Sequence, residues 1–144
     1  MNEPETVANV ANSLQLSKRA ARRLIQRALV LTGRDRHVRE HIREARLTML
    51  WVLEDWGFAW TVHLDRGKIE FDRRPAKKPD VTLTWRTAAE FFEQAEKENW
   101  RVEGFEYTGP QELMRTLERL CHSFCVLLGG VLRNPVDENG DPLV

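Results

Sequence analysis

The sequence predicts an α+β fold, in which helices cover one face of a mainly antiparallel sheet of about five strands. Two observations lead to this prediction. Apolar residues alternate with polar ones in several short segments, and in several longer segments they recur at helical spacing. The segments follow in the order helix, helix, four strands, helix, strand, helix. With 144 residues, the chain is long enough to bury one such core without disulfides or metals.

Two helices are predicted at the start of the domain. Ser17 is a suitable N-cap for the first helix, and Gly33 is a suitable residue to end it. The apolar stripe of this helix consists of Ala21, Leu24, Ile25, Ala28 and Leu31. Asp35 is a suitable cap for a shorter second helix. The inner face of the second helix carries Val38, Ile42 and Ala45.

The middle of the chain predicts four strands. Residues 47–53 are apolar on both faces, as expected of a central strand. Residues 58–64 alternate strictly, and Asp65 to Gly67 form a short turn into a return strand with Ile69 and Phe71 on one side. After a polar loop, Val81, Leu83 and Trp85 mark the fourth strand.

The last third of the chain predicts a helix, a strand and a long helix. Thr87 and Glu90 have the spacing of a capping box, which places the start of a helix that ends near residues 97–99. Phe105 and Tyr107 alternate on the last strand. Pro110 then suits the first turn of the final helix, and Gly129-Gly130 is expected to end it.

These segments predict a single domain over residues 17–132, with an N-terminal extension over 1–16 and a loose polar tail over 133–144. No apolar run is long enough to cross a membrane and the N-terminal residues are acidic, so we expect a cytoplasmic protein. The two cysteines, Cys121 and Cys125, lie four residues apart on one predicted helix, which disfavours a disulfide between them.

Charge is unevenly distributed along the chain. The formal net charge is zero, but residues 1–50 carry ten Lys and Arg against five Asp and Glu, and the rest carries twelve against seventeen. Four cations of the first helix, Lys18, Arg19, Arg22 and Arg23, are candidates for contact with an anionic membrane or an acidic protein. Nucleic acid is not an expected partner, because no third helix follows the first two.

Two short motifs suggest chemistry but predict little. His37 to His41, with the sequence HVREH, matches an inverted zinc-protease motif, yet it lacks a third ligand and lies among arginines. In the CHSFC segment, Cys121 lies on the apolar stripe and His122 points about 100° away. No nucleophile elbow or phosphate-binding glycine loop is present. We therefore predict no catalytic residue, no metal ligand and no cofactor.

Aromatic residues are the most informative feature of the composition. The chain has five tryptophans, of which Trp60 and Trp85 lie on alternating strands that can face Phe91, Phe92 and Phe124 on the covering helices. Such residues either fill the layer between sheet and helices or line a ligand cavity there. Periodicity does not distinguish these two alternatives.

Three segments resemble the sterol carrier protein type 2 (sterol-transfer) family. They are the hairpin WTVHLDRGKIEF, the strand PDVTLTW with its capped helix, and GFEYTGP followed by an apolar helix. The resemblance covers roughly residues 20 to 130. Gly104 and Gly109 are one residue closer than in the family pattern, a lysine after the first glycine is missing, and Pro110 replaces an acidic residue.

The resemblance implies a tunnel between sheet and helices for a fatty acyl chain, a sterol or a related lipid. It implies non-catalytic binding and carriage of such a ligand, with the last helix and Gly129-Gly130 as an opening element. The implied lining residues are Trp60, Val62, Leu83, Trp85, Phe91, Phe92, Leu117, Leu120, Cys121 and Phe124. The alternative is an accessory protein with a filled core that docks on an enzyme or self-associates.

Overall fold

The computed structural model describes residues 17–143. Its helices are α1 (Lys18–Arg34), α2 (Arg36–His41), α3 (Ala88–Lys97) and α4 (Met114–Arg133). Its strands are β1 (Arg46–Leu53), β2 (Phe58–Asp65), β3 (Lys68–Asp72), β4 (Val81–Trp85) and β5 (Phe105–Thr108). Short 3-10 turns at Glu54–Trp56 and Gln111–Leu113 precede β2 and α4.

The five strands form one sheet in the order β3-β2-β1-β4-β5. β1 is central, as predicted from its apolar faces, and pairs antiparallel with β2 and parallel with β4. The β2–β3 and β4–β5 pairs are antiparallel. The predicted α+β fold is therefore confirmed, with a sheet that is mainly antiparallel but mixed.

The β2–β3 hairpin is closed by the predicted turn. Asp65 pairs with Lys68, and the two residues between them, Arg66 and Gly67, both have positive φ angles, of 49° and 91°. This combination matches the right-handed twist of the flanking strands. The Arg66 amide also donates to the Ala45 carbonyl at 2.9 Å, so the turn is fixed against the end of the α2 segment.

The connection from β3 to β4, residues 73–80, crosses the sheet face opposite the helices. β3 and β4 lie on opposite sides of the β2–β1 pair, so this connection passes over both strands. The Thr61 hydroxyl on that face donates to the Arg74 carbonyl at 2.6 Å. Asp80 anchors the far end by accepting from the Thr48 amide at 2.8 Å. A basic loop therefore covers part of the outer face.

Helices α1 and α2 begin at the predicted caps. Ser17 accepts from the Ala20 amide at 3.0 Å, and Asp35 accepts from the His37 amide at 2.9 Å. The other Asp35 oxygen accepts from the Ser123 hydroxyl of α4 at 2.8 Å. Partial burial raises the pKa of Asp35, but these hydrogen bonds outweigh it and lower the pKa below its ordinary value. One carboxylate therefore links the first two helices to the last.

Helix α3 begins at the predicted capping box, since the Glu90 amide donates to the Thr87 hydroxyl at 3.1 Å. Helix α4 differs from its prediction at both ends. It begins at Met114, after a 3-10 turn that follows Pro110. It also continues past Gly129-Gly130 to Arg133, because the last turn buries Val131 and Leu132. Burial of these side chains outweighs the low helix propensity of two glycines.

The segment after α4 folds back onto α1. The Leu143 amide donates to the Pro135 carbonyl at 2.8 Å, and the Leu143 carbonyl accepts from Arg23 at 3.5 Å. Glu138 forms ion pairs with Arg27 and Arg34. The segment predicted as a loose tail is thus held along the outer side of the first helix.

Two glycine substitutions test these backbone assignments. Gly104 has a φ of +82°, and a side chain there would overlap the Glu90 carboxylate, which Arg86 and Thr87 hold in place. We expect Gly104→Ala to lower the free energy of unfolding by about 1 to 3 kcal/mol.

Gly130 is helical and faces open space, so Gly130→Ala should raise the free energy of unfolding by about 0.5 to 1 kcal/mol. Urea unfolding of both variants measures this; a stabilised Gly104→Ala protein would contradict the turn geometry.

Candidate functional sites

The structure brings all ten predicted lining residues together between the sheet and helices α3 and α4. All ten are buried and belong to one hydrophobic cluster. Trp60, Val62, Leu83 and Trp85 project from the strands. Phe91 and Phe92 lie on α3, and Leu117, Leu120, Cys121 and Phe124 lie on α4.

Five rings of this cluster contact one another directly, and we call them the aromatic layer: Trp51, Trp60, Trp85, Phe91 and Phe124. The Phe91 ring lies 4.9 Å from that of Trp85 and 6.1 Å from those of Trp60 and Phe124, centroid to centroid. The Trp51 ring lies 4.9 Å from that of Phe124 and 5.3 Å from that of Trp85. These are ordinary distances for packed aromatic pairs.

Trp51 was missed as a member of this layer. The strand that carries it is apolar on both faces, so alternation alone did not show which side Trp51 occupies. The signal is in the pairing register: Trp51 lies opposite Trp60 across the β1–β2 ladder, and cross-strand partners share a face. The face of Trp60, which alternation did predict, therefore fixes the face of Trp51.

The residues that the resemblance implies as a tunnel lining pack together in one buried cluster, and whether they bind a ligand stays a prediction. Three ring pairs join the strands to the helices, with centroids 4.9 Å apart for Trp51–Phe124, 6.1 Å for Trp60–Phe91 and 4.9 Å for Trp85–Phe91. None of the four surface clefts described here is lined by any of the ten predicted residues. A ligand in this layer would have to separate rings that are in contact.

Four buried N–H donors in and beside this layer have no hydrogen-bond acceptor within the described residues. They are the indole nitrogens Nε1 of Trp51, Trp60 and Trp85 and the amide Nε2 of Gln94. Gln94 uses its oxygen to accept from the Cys125 thiol at 3.3 Å. Each indole makes a tilted or edge-to-face contact with other rings, which offers only a weak N–H···π partner. Buried donors without a strong acceptor are uncommon and costly.

Both cysteines are buried and unsuited to nucleophilic chemistry. Burial raises the pKa of the Cys121 thiol to about 12. Burial also raises the pKa of the Cys125 thiol, and the neighbouring Cys121 raises this pKa further. Since the thiolate is the reactive form, both groups are inert at neutral pH.

The HVREH segment does not assemble a metal site. His41 contacts the Arg115 carbonyl through Nε2 at 2.8 Å, and Glu40 forms an ion pair with Arg36. Within residues 17–143, no three His, Cys, Asp or Glu side chains lie close enough together to bind one metal ion. His37 and His41 are exposed on α2.

Three of the four cations predicted to contact a partner have contacts within the chain. Lys18 donates to the Trp56 carbonyl at 3.0 Å, and the Arg22 guanidinium lies 4.5 Å from the centre of the Phe58 ring. Arg23 donates to the Leu143 carbonyl at 3.5 Å. Among described residues, only Arg19 of the four has no such contact, and the contact of these cations with a partner stays a prediction.

A cationic cleft lies where the end of α1, helix α2 and the β2–β3 hairpin meet. It has a volume of about 790 Å³ and is lined by six cations and two carboxylates. The cations are Arg34, Arg36, Arg39, Arg43, Arg66 and Lys68, and the carboxylates are Glu40 and Glu70. Val30, 40% exposed, and Ile69 add an apolar part to its wall.

The cations of this cleft are not equally available. Arg36 pairs with Glu40 at 3.2 Å, and Arg43 pairs with Glu44 at 3.7 Å. Arg34 pairs with Glu138, and Arg66 pairs with Asp65 at 3.2 Å. Arg39 and Lys68 have no carboxylate partner in the described part of the chain. Exposed pairs of this kind contribute about 0 to 1 kcal/mol each, so an incoming anion can compete with them.

Comparison with known proteins adds little to this geometry. No family model matches the sequence, and no curated protein is significantly similar to it. A solved structure of the stereoselective inverting sec-alkylsulfatase Pisa1 from Pseudomonas sp. is similar at a TM-score of 0.43 and 17% identity. The match covers 60% of this chain and 13% of that enzyme, and at this level it does not establish a shared fold. No helix in residues 17–143 combines the length and apolar character needed to span a bilayer.

Thiol reactivity measures whether the aromatic layer opens. At pH 8 the raised pKa of Cys121 leaves almost no thiolate, so we expect alkylation by iodoacetamide to be on the order of a thousandfold slower in the native protein than in 6 M urea. Mass spectrometry of the modified peptide provides the measurement, and the urea sample is the control for complete labelling. Labelling of native Cys121 at the unfolded rate would show that helix α4 detaches readily from the sheet.

Proposed function

We propose that this chain is a non-catalytic accessory domain of the cytoplasm that docks on a partner protein, with its filled interior as a rigid platform. The observation that supports this proposal is the direct packing of the aromatic layer. Trp51 and Trp85 of the sheet contact Phe91 and Phe124 of the helices, where a carrier needs space. The cationic cleft supplies a surface on which docking can occur.

An energy estimate supports docking over lipid carriage. Transfer of about fifteen methylenes from water gains roughly 12 kcal/mol, and association costs at least about 4 kcal/mol. Entry also separates Trp51–Phe124, Trp60–Phe91 and Trp85–Phe91, at about 0.5 to 1.5 kcal/mol for each aromatic pair. The remainder, about 3.5 to 6.5 kcal/mol, corresponds to a dissociation constant between roughly 3 mM and 20 µM. Such affinity is weak for a carrier.

A second candidate function is binding of a hydrophobic ligand that carries hydrogen-bond acceptors. It is favoured by the unpartnered donors of Trp51, Trp60, Trp85 and Gln94. A carbonyl or carboxylate in the layer would satisfy one or more of them, which recovers about 1 to 3 kcal/mol for each buried donor. This recovery is comparable to the cost of separating the rings, so a lipid with a polar group is a better occupant than a plain hydrocarbon.

Native mass spectrometry of the purified chain distinguishes the two functions. A filled layer predicts the mass of the chain alone and tryptophan emission that does not change on addition of fatty acids, fatty acyl esters or sterols, because no site is open to them. The positive control for ligand binding is the Phe91→Ala variant, because the substitution leaves space beside Trp60 and Trp85. A co-purified lipid, or saturable quenching in the unmodified chain, would replace docking with the second candidate.

A further inference from the structure

We propose that the cationic cleft binds an extended acidic peptide segment of a partner protein, and that Glu138 of the chain's own C-terminal segment competes for its rim. This inference rests on the proposed docking function and names the surface and the class of partner. The sequence suggested a different surface, whose Lys18, Arg22 and Arg23 contact other parts of the chain. The cleft instead offers Arg39 and Lys68, which have no carboxylate partner among residues 17–143.

The charge of the cleft favours carboxylates. Six cations line it against two carboxylates, and Arg39 and Lys68 have no carboxylate partner among residues 17–143. Guanidinium groups bind carboxylates through paired hydrogen bonds, which gives both strength and orientation. The exposed apolar surface of Val30 beside these cations fits the short side chains between the acidic residues of a peptide.

The backbone of the cleft favours an extended peptide over a small anion. β3 is an edge strand, and Asp65 and Lys68 close a two-residue hairpin by exchanging both backbone hydrogen bonds. The next pair, Leu64 and Ile69, is therefore non-hydrogen-bonded, and the N–H and C=O of Ile69 point to the open edge. A peptide strand can pair with these groups while its carboxylates meet the arginines.

The hairpin that forms this edge is held in place. A side chain at Gly67 would lie 3.6 Å from the Arg39 carbonyl and 3.9 Å from the Cα of Arg43, so the turn is in close contact with α2. The Arg66 amide donates to the Ala45 carbonyl at 2.9 Å. The edge and the cations are thus positioned before a peptide arrives, which lowers the ordering cost of binding.

Glu138 shows that this surface accepts a carboxylate from a peptide segment. It pairs with Arg34, which lines the cleft, and with Arg27 at 3.5 Å. The segment that carries it forms a tight turn, in which Val136 is bridged to Pro142 and the Gly140 amide donates to the Asp137 carbonyl at 3.1 Å. Glu138 therefore occupies one end of the cation cluster. Its ion pair with Arg34 has to break before Arg34 can bind an incoming acidic segment.

The test is fluorescence anisotropy with the full chain and a fluorescein-labelled ten-residue peptide of alternating glutamate and threonine. Arg39→Gln with Lys68→Gln should weaken binding about fivefold or more, because two unpartnered cations are lost. Lys77→Gln with Lys78→Gln makes the same change in net charge on the crossover loop and should change binding less than about twofold. Glu138→Gln should tighten binding about twofold to fivefold, because it frees Arg27 and Arg34.

Further measurements distinguish peptide binding at this cleft from binding by charge alone and from membrane binding. A peptide with alternate N-methylated residues keeps its charge but loses strand pairing, and it should bind at least about fivefold more weakly. Equal weakening by both double variants, or no effect of Glu138→Gln, would overturn the assignment to this cleft. Binding to phosphatidylserine vesicles that depends on Arg39 and Lys68, without peptide binding, would assign the cleft to a membrane instead. If the peptide does not bind and native mass spectrometry finds the mass of the chain alone, this inference is overturned and the proposed function is not. A co-purified lipid, in contrast, overturns the proposed function.

Discussion

The packing of Phe91 against the sheet is the constraint on which the rest of the structure depends. This one ring contacts Trp60, Trp85 and Phe124, and so joins two strands to helices α3 and α4. Because aromatic rings pack at fixed separations, these contacts set the distance between the sheet and its helices. A ligand between the sheet and these helices would have to separate the same contacts.

Covering one face of the sheet also determines where the surface is recessed. α1 approaches the sheet so closely that a side chain at Gly33 would lie 3.5 Å from Ile69 of the edge strand. α2 is short, ends at His41 and lies against the turn of the β2–β3 hairpin near Gly67. A cleft remains where these elements meet, and the arginines of both helices line it. The cleft thus comes from the arrangement of the elements, and not from a motif in the sequence.

Sequence patterns predicted the positions of the helices and strands better than they predicted how their side chains are buried and packed. Alternation fixed the β2–β3 hairpin, and the Thr87–Glu90 spacing fixed the start of α3, because both signals are local. The end of α4 was wrong, since burial of Val131 and Leu132 is decided by distant contacts that override the glycine signal. Whether the aromatic layer is filled was not predictable, because periodicity gives the direction of a side chain and not the atoms it meets. The cleft was missed because its cations come from two stretches, residues 34–43 and 66–68, that are far apart in the sequence.

The uneven charge of the chain is partly neutralised within the fold. The basic first third supplies Arg27 and Arg34, and the acidic remainder supplies Glu138, so a net charge of zero conceals an internal pairing. Helix α4 ends at Arg133, directly before the segment that carries Glu138. Arg34 also lines the cleft, so the acidic part of the chain neutralises one of the cations that the basic first third supplies to this surface.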